Sequence, residues 1–263
     1  MIKKTFLCMA TVVLLLLTSA CGNTPAQTSS PPPIELNVSA ALGLKDALLD
    51  IQKEYEQSHP AVKIIYNLAA AGVLESQIEQ GAPTDIFISA ANKQVDDLAK
   101  KNLIDAATRK NLVSNKLVLI VPKDSSLGLS SFKDLAKNSV IHYGLGEPKT
   151  VPAGQYGEEV LKYLGIWEEV KNKAVLAKDV RTILSYVETG NADAGIVFST
   201  VAATSDNVTI VATAPPNSHT PIIFPGVILK NSRQPEAAQE FLNYLTSSAG
   251  MKVFQQYGFQ IAQ

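Results

Sequence analysis

The sequence has little of what catalysis or nucleic-acid binding requires. It holds two cysteines in 263 residues, Cys8 and Cys21, both within the first 21. The body therefore has none, which excludes a disulfide framework, a thiolate metal site and a cysteine nucleophile there. Histidine is scarce as well. His59, His142 and His219 stand far apart, without metal-ligand spacing. His59, beside Pro60 at a helix end, and His219, in a polar loop, read as surface residues. There is no charge excess: 23 Lys+Arg face 24 Asp+Glu, a formal net charge of −1. A nucleic-acid-binding domain carries a basic excess to neutralise phosphates, so nucleic acid is not an expected partner. No Gly-x-Ser-x-Gly elbow, Walker loop or dinucleotide-binding glycine pattern occurs. Glu158 and Glu159 are neighbours on a helix and point in different directions, so they read as solvated. Nothing supports an enzyme.

The first 20 residues read as a leader. Lys3 and Lys4 form a basic start, and Phe6 to Leu17 is apolar apart from Thr11. That run is shorter than the ~20 residues of a membrane span. It ends in Leu17-Thr18-Ser19-Ala20-Cys21-Gly22, which resembles the lipobox of exported lipoproteins, with Thr18 where leucine is expected. The expectation is acylation of Cys21 and anchoring on the extracytoplasmic face. The alternative is ordinary cleavage near Ala20, leaving a free thiol. Residues 21–33 are small, polar and proline-rich, a flexible tether that cannot pack.

From Ile34 strands and helices alternate. Ile34, Leu36 and Val38 have strand periodicity; Leu44, Leu48, Ile51 and Tyr55 have helical spacing, stopped by Pro60. Val62–Leu68 and Asp85–Ser89 read as strands, with helices around Leu74 and Ile78 and over Gln94–Lys100. Leu117–Val121 is a strand after which the rhythm restarts, and two helices close the chain. This order predicts an α/β protein of two lobes, each a parallel-rich sheet flanked by helices, with a cleft between them. Expected boundaries are 34–115 for the first part of lobe I, 116–223 for lobe II and 224–263 for the return to lobe I.

Small residues open several helices. Ala41-Leu42-Gly43 precedes the first and Ala69-Ala70-Ala71-Gly72 the second; Val151-Pro152-Ala153-Gly154 and Lys178-Asp179-Val180 open two more, with Asp179 as N-cap. Helix N-termini expose unpaired N–H groups and the positive end of the helix dipole, so several converging would form an anion site. Lys149 reads as a solvated loop lysine, and Asp85 as a structural acceptor of local backbone hydrogen bonds.

Certain stretches are specific. Ile78-Glu79-Gln80-Gly81-Ala82-Pro83-Thr84-Asp85-Ile86-Phe87-Ile88-Ser89-Ala90, Gly146-Glu147-Pro148-Lys149-Thr150-Val151-Pro152-Ala153-Gly154-Gln155-Tyr156, Asp179-Val180-Arg181, Ala194-Gly195-Ile196-Val197-Phe198 and Phe254-Gln255-Gln256-Tyr257-Gly258-Phe259 resemble signature segments of periplasmic molybdate-binding proteins. The resemblance runs from about Ile34 to Phe259. It implies a type II periplasmic-binding-protein fold, an ABC permease and its ATPase as partners, no cofactor, and molybdate or tungstate as ligand, held without a metal or an opposing formal charge. A monomer is expected.

The resemblance also implies a ligand shell. Backbone donors fall on Ala153 and Val180. Positions where the family carries hydroxyls fall on Gly43, Ala71 and Phe198, each lacking the O–H donor. A hydrogen bond to a charged group contributes roughly 1.5–3 kcal/mol, so three losses cost about 4–9 if additive. Three readings fit. Neighbours such as Ser39, Asn67, Ser199, Thr200 and the Gly43 and Gly72 amides compensate; or the anion has changed; or molybdate binding is weak or lost. A module feeding a sensor, separable by gene neighbourhood, is a further alternative.

Overall fold

The computed structural model describes residues 33–262. The leader (1–20), Cys21 and the tether up to residue 32 lie outside the described residues. The described residues form one compact unit. No helix among the described residues is long and apolar enough to cross a membrane.

The chain begins with β1 (Ile34–Ala41), a 3-10 turn (Leu42–Leu44) and α1 (Lys45–Ser58), then β2 (Val62–Ala69), α2 (Ala71–Glu79), β3 (Ile86–Ile88), α3 (Asn92–Lys100) and β4 (Ile104–Ser114). The second lobe follows as β5 (Leu117–Pro122), β6 (Tyr143–Gly146), α4 (Pro152–Tyr163), α5 (Trp167–Val170), β7 (Ala174–Ala177), α6 (Val180–Glu188), β8 (Ala194–Phe198), α7 (Ser199–Ala202) and β9 (Val208–Thr213). The chain returns through β10 (Ile223–Leu229), α8 (Pro235–Leu245), α9 (Ser248–Gln256) and β11 (Gln260–Ile261).

Two sheets result, ordered β11-β4-β10-β3-β1-β2 and β7-β6-β8-β5-β9. The parallel-rich expectation holds for one half of each sheet only. β1 pairs parallel with β2 and β3, and β6 with β7 and β8. β10 runs antiparallel to β3 and β4, and β5 antiparallel to β8 and β9. The reason is the crossing between lobes. A strand that enters a sheet from the other lobe needs no helical crossover and can insert in the opposite direction.

Alternation along the strands places helices on both faces of the first sheet. Ile86 and Ile88 of β3 join the core beneath α1 and α8, with Leu48, Ile51, Phe241 and Leu242. Phe87 points the other way, into a second cluster with Leu74 and Ile78 of α2 and Val95 and Leu98 of α3. Each such side chain, fully buried, contributes about 1.5–3 kcal/mol of transfer free energy. In the second sheet Leu145 and Ile196 meet α4 at Gly157, while Ile183 and Val187 of α6 pack over Gly144 and Gly195. Trp167 starts the short α5.

The two crossings between sheets run side by side. Asn115 N donates to Ile222 O (3.2 Å), and Ser199 N to Lys116 O (2.9 Å). The Asn115 side chain accepts from Ser199 Oγ (2.9 Å) and donates to Thr200 Oγ1 (2.9 Å).

Asp85 is 2% exposed. Its carboxylate accepts from Asn37 N (2.8 Å), Ser232 Oγ (2.7 Å) and Arg233 N (3.0 Å). It is the structural acceptor expected, but its donors lie 48 and 147–148 positions away rather than nearby.

Candidate functional site between the lobes

Strands deliver their C-terminal ends to the cleft, and the elements that follow turn there. The 3-10 turn after β1, the start of α2 after β2, the start of α4 after β6 and the start of α6 after β7 all border one small cavity of about 20 Å³. Its walls include Gly43 and Ala71 from the first lobe and Ala153, Val180 and Phe198 from the second. The five positions expected to surround a ligand are thus brought together, although 155 positions separate the first from the last (198 − 43). Val151, Pro152, Ala90 and Asp179 also line it. Pro152 at the first position of α4 removes an N–H that no helical carbonyl would satisfy and fixes φ for the turn.

Ala71 and Val180 are the first residues of their helices and Ala153 the second. Helices supply no acceptors to those amides. Among the described residues no loop carbonyl or side chain takes them either. The α6 start is held by Asp179, whose carboxylate accepts from Thr182 N at 2.8 Å. That bond turns the one acidic side chain of the wall toward its own helix. Gly154 lets α4 approach β6, since a Cβ there would stand 2.0 Å from Gly146 O.

Among the described residues no Lys or Arg lines the cavity. The positive potential comes from helix starts. Each helix N-terminus is equivalent to roughly +0.5 charge, so α2, α4 and α6 supply roughly +1.5 toward a dianion. A wider groove of about 430 Å³ lies between α3 and α4. Its lysines are already neutralised, Lys93 and Lys100 by Asp97 at 2.6 and 2.8 Å, so it offers an anion little.

The candidate compensating side chains are engaged elsewhere. Ser39 is 2% exposed and does not line the cavity. Its hydroxyl lies 2.9 Å from Thr84 Oγ1. β1 runs two residues past Ser39, so at about 3.3 Å per residue it stops short of the cleft. Asn67 Nδ2 donates to Gln77 (2.8 Å), and Ser199 and Thr200 bond Asn115. The Gly72 amide, also expected to be free, donates across the cleft to Thr150 O at 2.9 Å. Lys149 is exposed, as expected.

Phe198 lies within an aromatic chain, edge-on to Tyr156 (6.4 Å between centroids) and Phe224 (5.4 Å). Burial, helped by Glu159, pushes the Tyr156 phenol above its usual value. Sequence reasoning missed two contacts between lobes, Gly72 with Thr150 and Asp46 with Arg181. Neither pair carries a local signal, since each joins segments far apart in the chain.

Residues 36–260 match the family described as bacterial extracellular solute-binding protein. A Bacillus subtilis strain 168 protein, provisionally named ABC transporter substrate-binding lipoprotein YvgL, is 42% identical over 98% of this chain and 99% of its own. Molybdate-binding protein ModA of Haemophilus influenzae is 40% identical over 86% of this chain and 89% of its own. The solved substrate-binding domain of a provisionally assigned molybdenum ABC transporter from Clostridium difficile is 41% identical, with a TM-score of 0.69, over 88% of this chain and 100% of its own. These relatives are named for solute binding and not for any enzyme activity. The two sheets, the cleft and these relatives together place the chain in the bacterial extracellular solute-binding protein family, among the ModA-like substrate-binding proteins of ABC transporters.

Proposed function

We propose that this protein captures molybdate or tungstate outside the cytoplasm, holds it between its lobes by backbone amides, and delivers it to an ABC permease and its ATPase. The observation that carries the reading is the convergence of the α2, α4 and α6 starts, with Gly43, on one cavity. Doubly deprotonated molybdate is acceptor-only, which matches the N–H donors of Ala71, Ala153 and Val180 in the wall. The ModA relative named for molybdate supports this anion. Lobe I comprises 34–115 with 224–263, lobe II comprises 116–223, and bending at Asn115 and Ile222–Ile223 opens the cleft. The anion favours the closed form, because only there do both lobes contact it. The protein acts as a monomer, tethered through an acylated Cys21.

The test is isothermal titration of residues 34–263, the compact unit that holds both sheets, with molybdate, tungstate and sulfate. Saturable binding of the two larger anions is expected, in the micromolar range because three hydroxyl donors are missing. Sulfate is expected to bind much more weakly. The apolar walls favour one second reading, a changed anion specificity. Absence of heat from all three would support it and reject molybdate.

A further inference from the structure

Two contacts join the lobes on either side of the cavity. On one side Gly72 N donates to Thr150 O at 2.9 Å, next to Ala71 and Val151 in the wall. On the other the Arg181 guanidinium meets the Asp46 carboxylate, next to Val180 and just after Gly43. Arg181 also donates to Thr204 Oγ1 (3.1 Å). At the first contact main chain meets main chain. A Cβ on Gly72 would stand 2.6 Å from Thr150 Cα and 2.7 Å from Thr150 O, and the three nearest atoms all belong to the Thr150 backbone. Carbon atoms pack at about 3.5–4.0 Å, so a methyl group there would hold the lobes roughly 1 Å apart. No substitution at Thr150 would relieve the clash, because it is with main chain.

We propose that Gly72 sets how far the lobes close, and hence the spacing of the amide donors on which anion affinity depends. Gly72 is the second residue of α2 and has no positive φ. Alanine therefore suits lobe I by itself, and helix propensity favours it. Its effect falls on closure. With the lobes about 1 Å further apart, an amide at 2.9 Å would move to nearly 4 Å, which is no longer a hydrogen bond.

The affinity effect rests on the function proposed above; the closure effect does not. Gly72→Ala is expected to weaken molybdate binding about hundredfold or more, with Tm of the anion-free protein unchanged or slightly raised. Val73→Ala, one residue along on an exposed position, is the control and should bind like the parent. Closure is read independently by hydrogen exchange at amide 72, corrected for intrinsic rates. No helical carbonyl is available to that amide, so its protection reports the bond to Thr150. In the parent chain it should be protected even without anion, and more so if molybdate binds; in Gly72→Ala it should exchange as an open amide. If the parent fails to bind molybdate, the ligand is wrong, and exchange without anion still decides the role of Gly72. Equal protection at position 72 in both chains would overturn the proposal, as would an unprotected Gly72 in the parent. So would undiminished molybdate affinity in Gly72→Ala.

Discussion

Returning hydroxyls to the three bare positions, as Gly43→Ser with Ala71→Ser and Phe198→Tyr, is expected to tighten molybdate binding at least about hundredfold. All three positions line the one cavity, so each new O–H can reach the same anion. A hydrogen bond to a charged group contributes about 1.5–3 kcal/mol, and 1.4 kcal/mol is tenfold in affinity. Three such bonds would exceed a thousandfold if additive. They share one small ligand and so couple, and each hydroxyl must be desolvated, which brings the expectation down to the lower figure. Space is available at Gly43. A Cβ on Gly43 would meet Phe198, Val180 and Val201 at 3.7 Å, an ordinary contact. Ala71→Ser adds one oxygen to a fully buried residue, and Phe198→Tyr one oxygen to a ring packed among Tyr156 and Phe224. Competition titration against the parent chain reads the change. A triple variant that keeps its Tm and binds molybdate no better would mean that the anion is not held where these positions meet.

Replacing Asp85 with alanine is expected to cost about 4 kcal/mol of stability. The carboxylate is buried and accepts from two backbone amides, Asn37 and Arg233, and from the Ser232 hydroxyl. Removing it leaves those donors facing protein interior, at about 1–3 kcal/mol each, offset in part by water entering the space. The bonds join β1, the β3 end and the segment after β10, so the loss falls on the return of the chain to lobe I. For a domain of this size about 4 kcal/mol corresponds to a fall in Tm of roughly 8–16 °C. Thermal unfolding followed by circular dichroism checks this. A fall of under 3 °C would show that the carboxylate does not hold the return segment. Anion affinity, where the variant is folded, should change little, because Asp85 does not line the cavity.

The lobes and the cavity were legible in the sequence for identifiable reasons. Strands such as Leu117–Pro122, nearly all buried, read as continuous apolar runs, and helices such as α1 carry their buried residues at helical spacing. The helix starts around the cleft could be named because they leave a local signature of small residues, proline and an N-cap; the five shell positions, Phe198 among them, came from the family resemblance. β4 gave no such signature. Of its eleven residues only Ile104, Leu112 and Val113 are buried, at its two ends, so the middle shows neither period. β7 is four residues long with only Ala177 buried, too short to register. Strand direction was also invisible, since alternation of helix and strand gives order but not the sense in which β5 and β10 insert.

At the site the difficulty was of another kind. Ser39 sits close in sequence to the first helix start and looked like a replacement donor. Its partner, Thr84, is 45 positions away, and Asn115, which engages Ser199, is 84 positions away. Whether a hydroxyl is free depends on such distant partners. The same holds for Gly72, whose amide is taken by a carbonyl from the other lobe.

Diffraction from crystals grown with tungstate tests the central claim most directly, because the metal's anomalous signal locates the anion without reference to any donor. The account predicts one strong peak between the lobes, with the amides of Ala71, Ala153 and Val180 within hydrogen-bond distance of its oxygens and no cationic side chain in contact. Tungstate bound at full occupancy elsewhere, such as the groove between α3 and α4, with this cavity unoccupied, would contradict it.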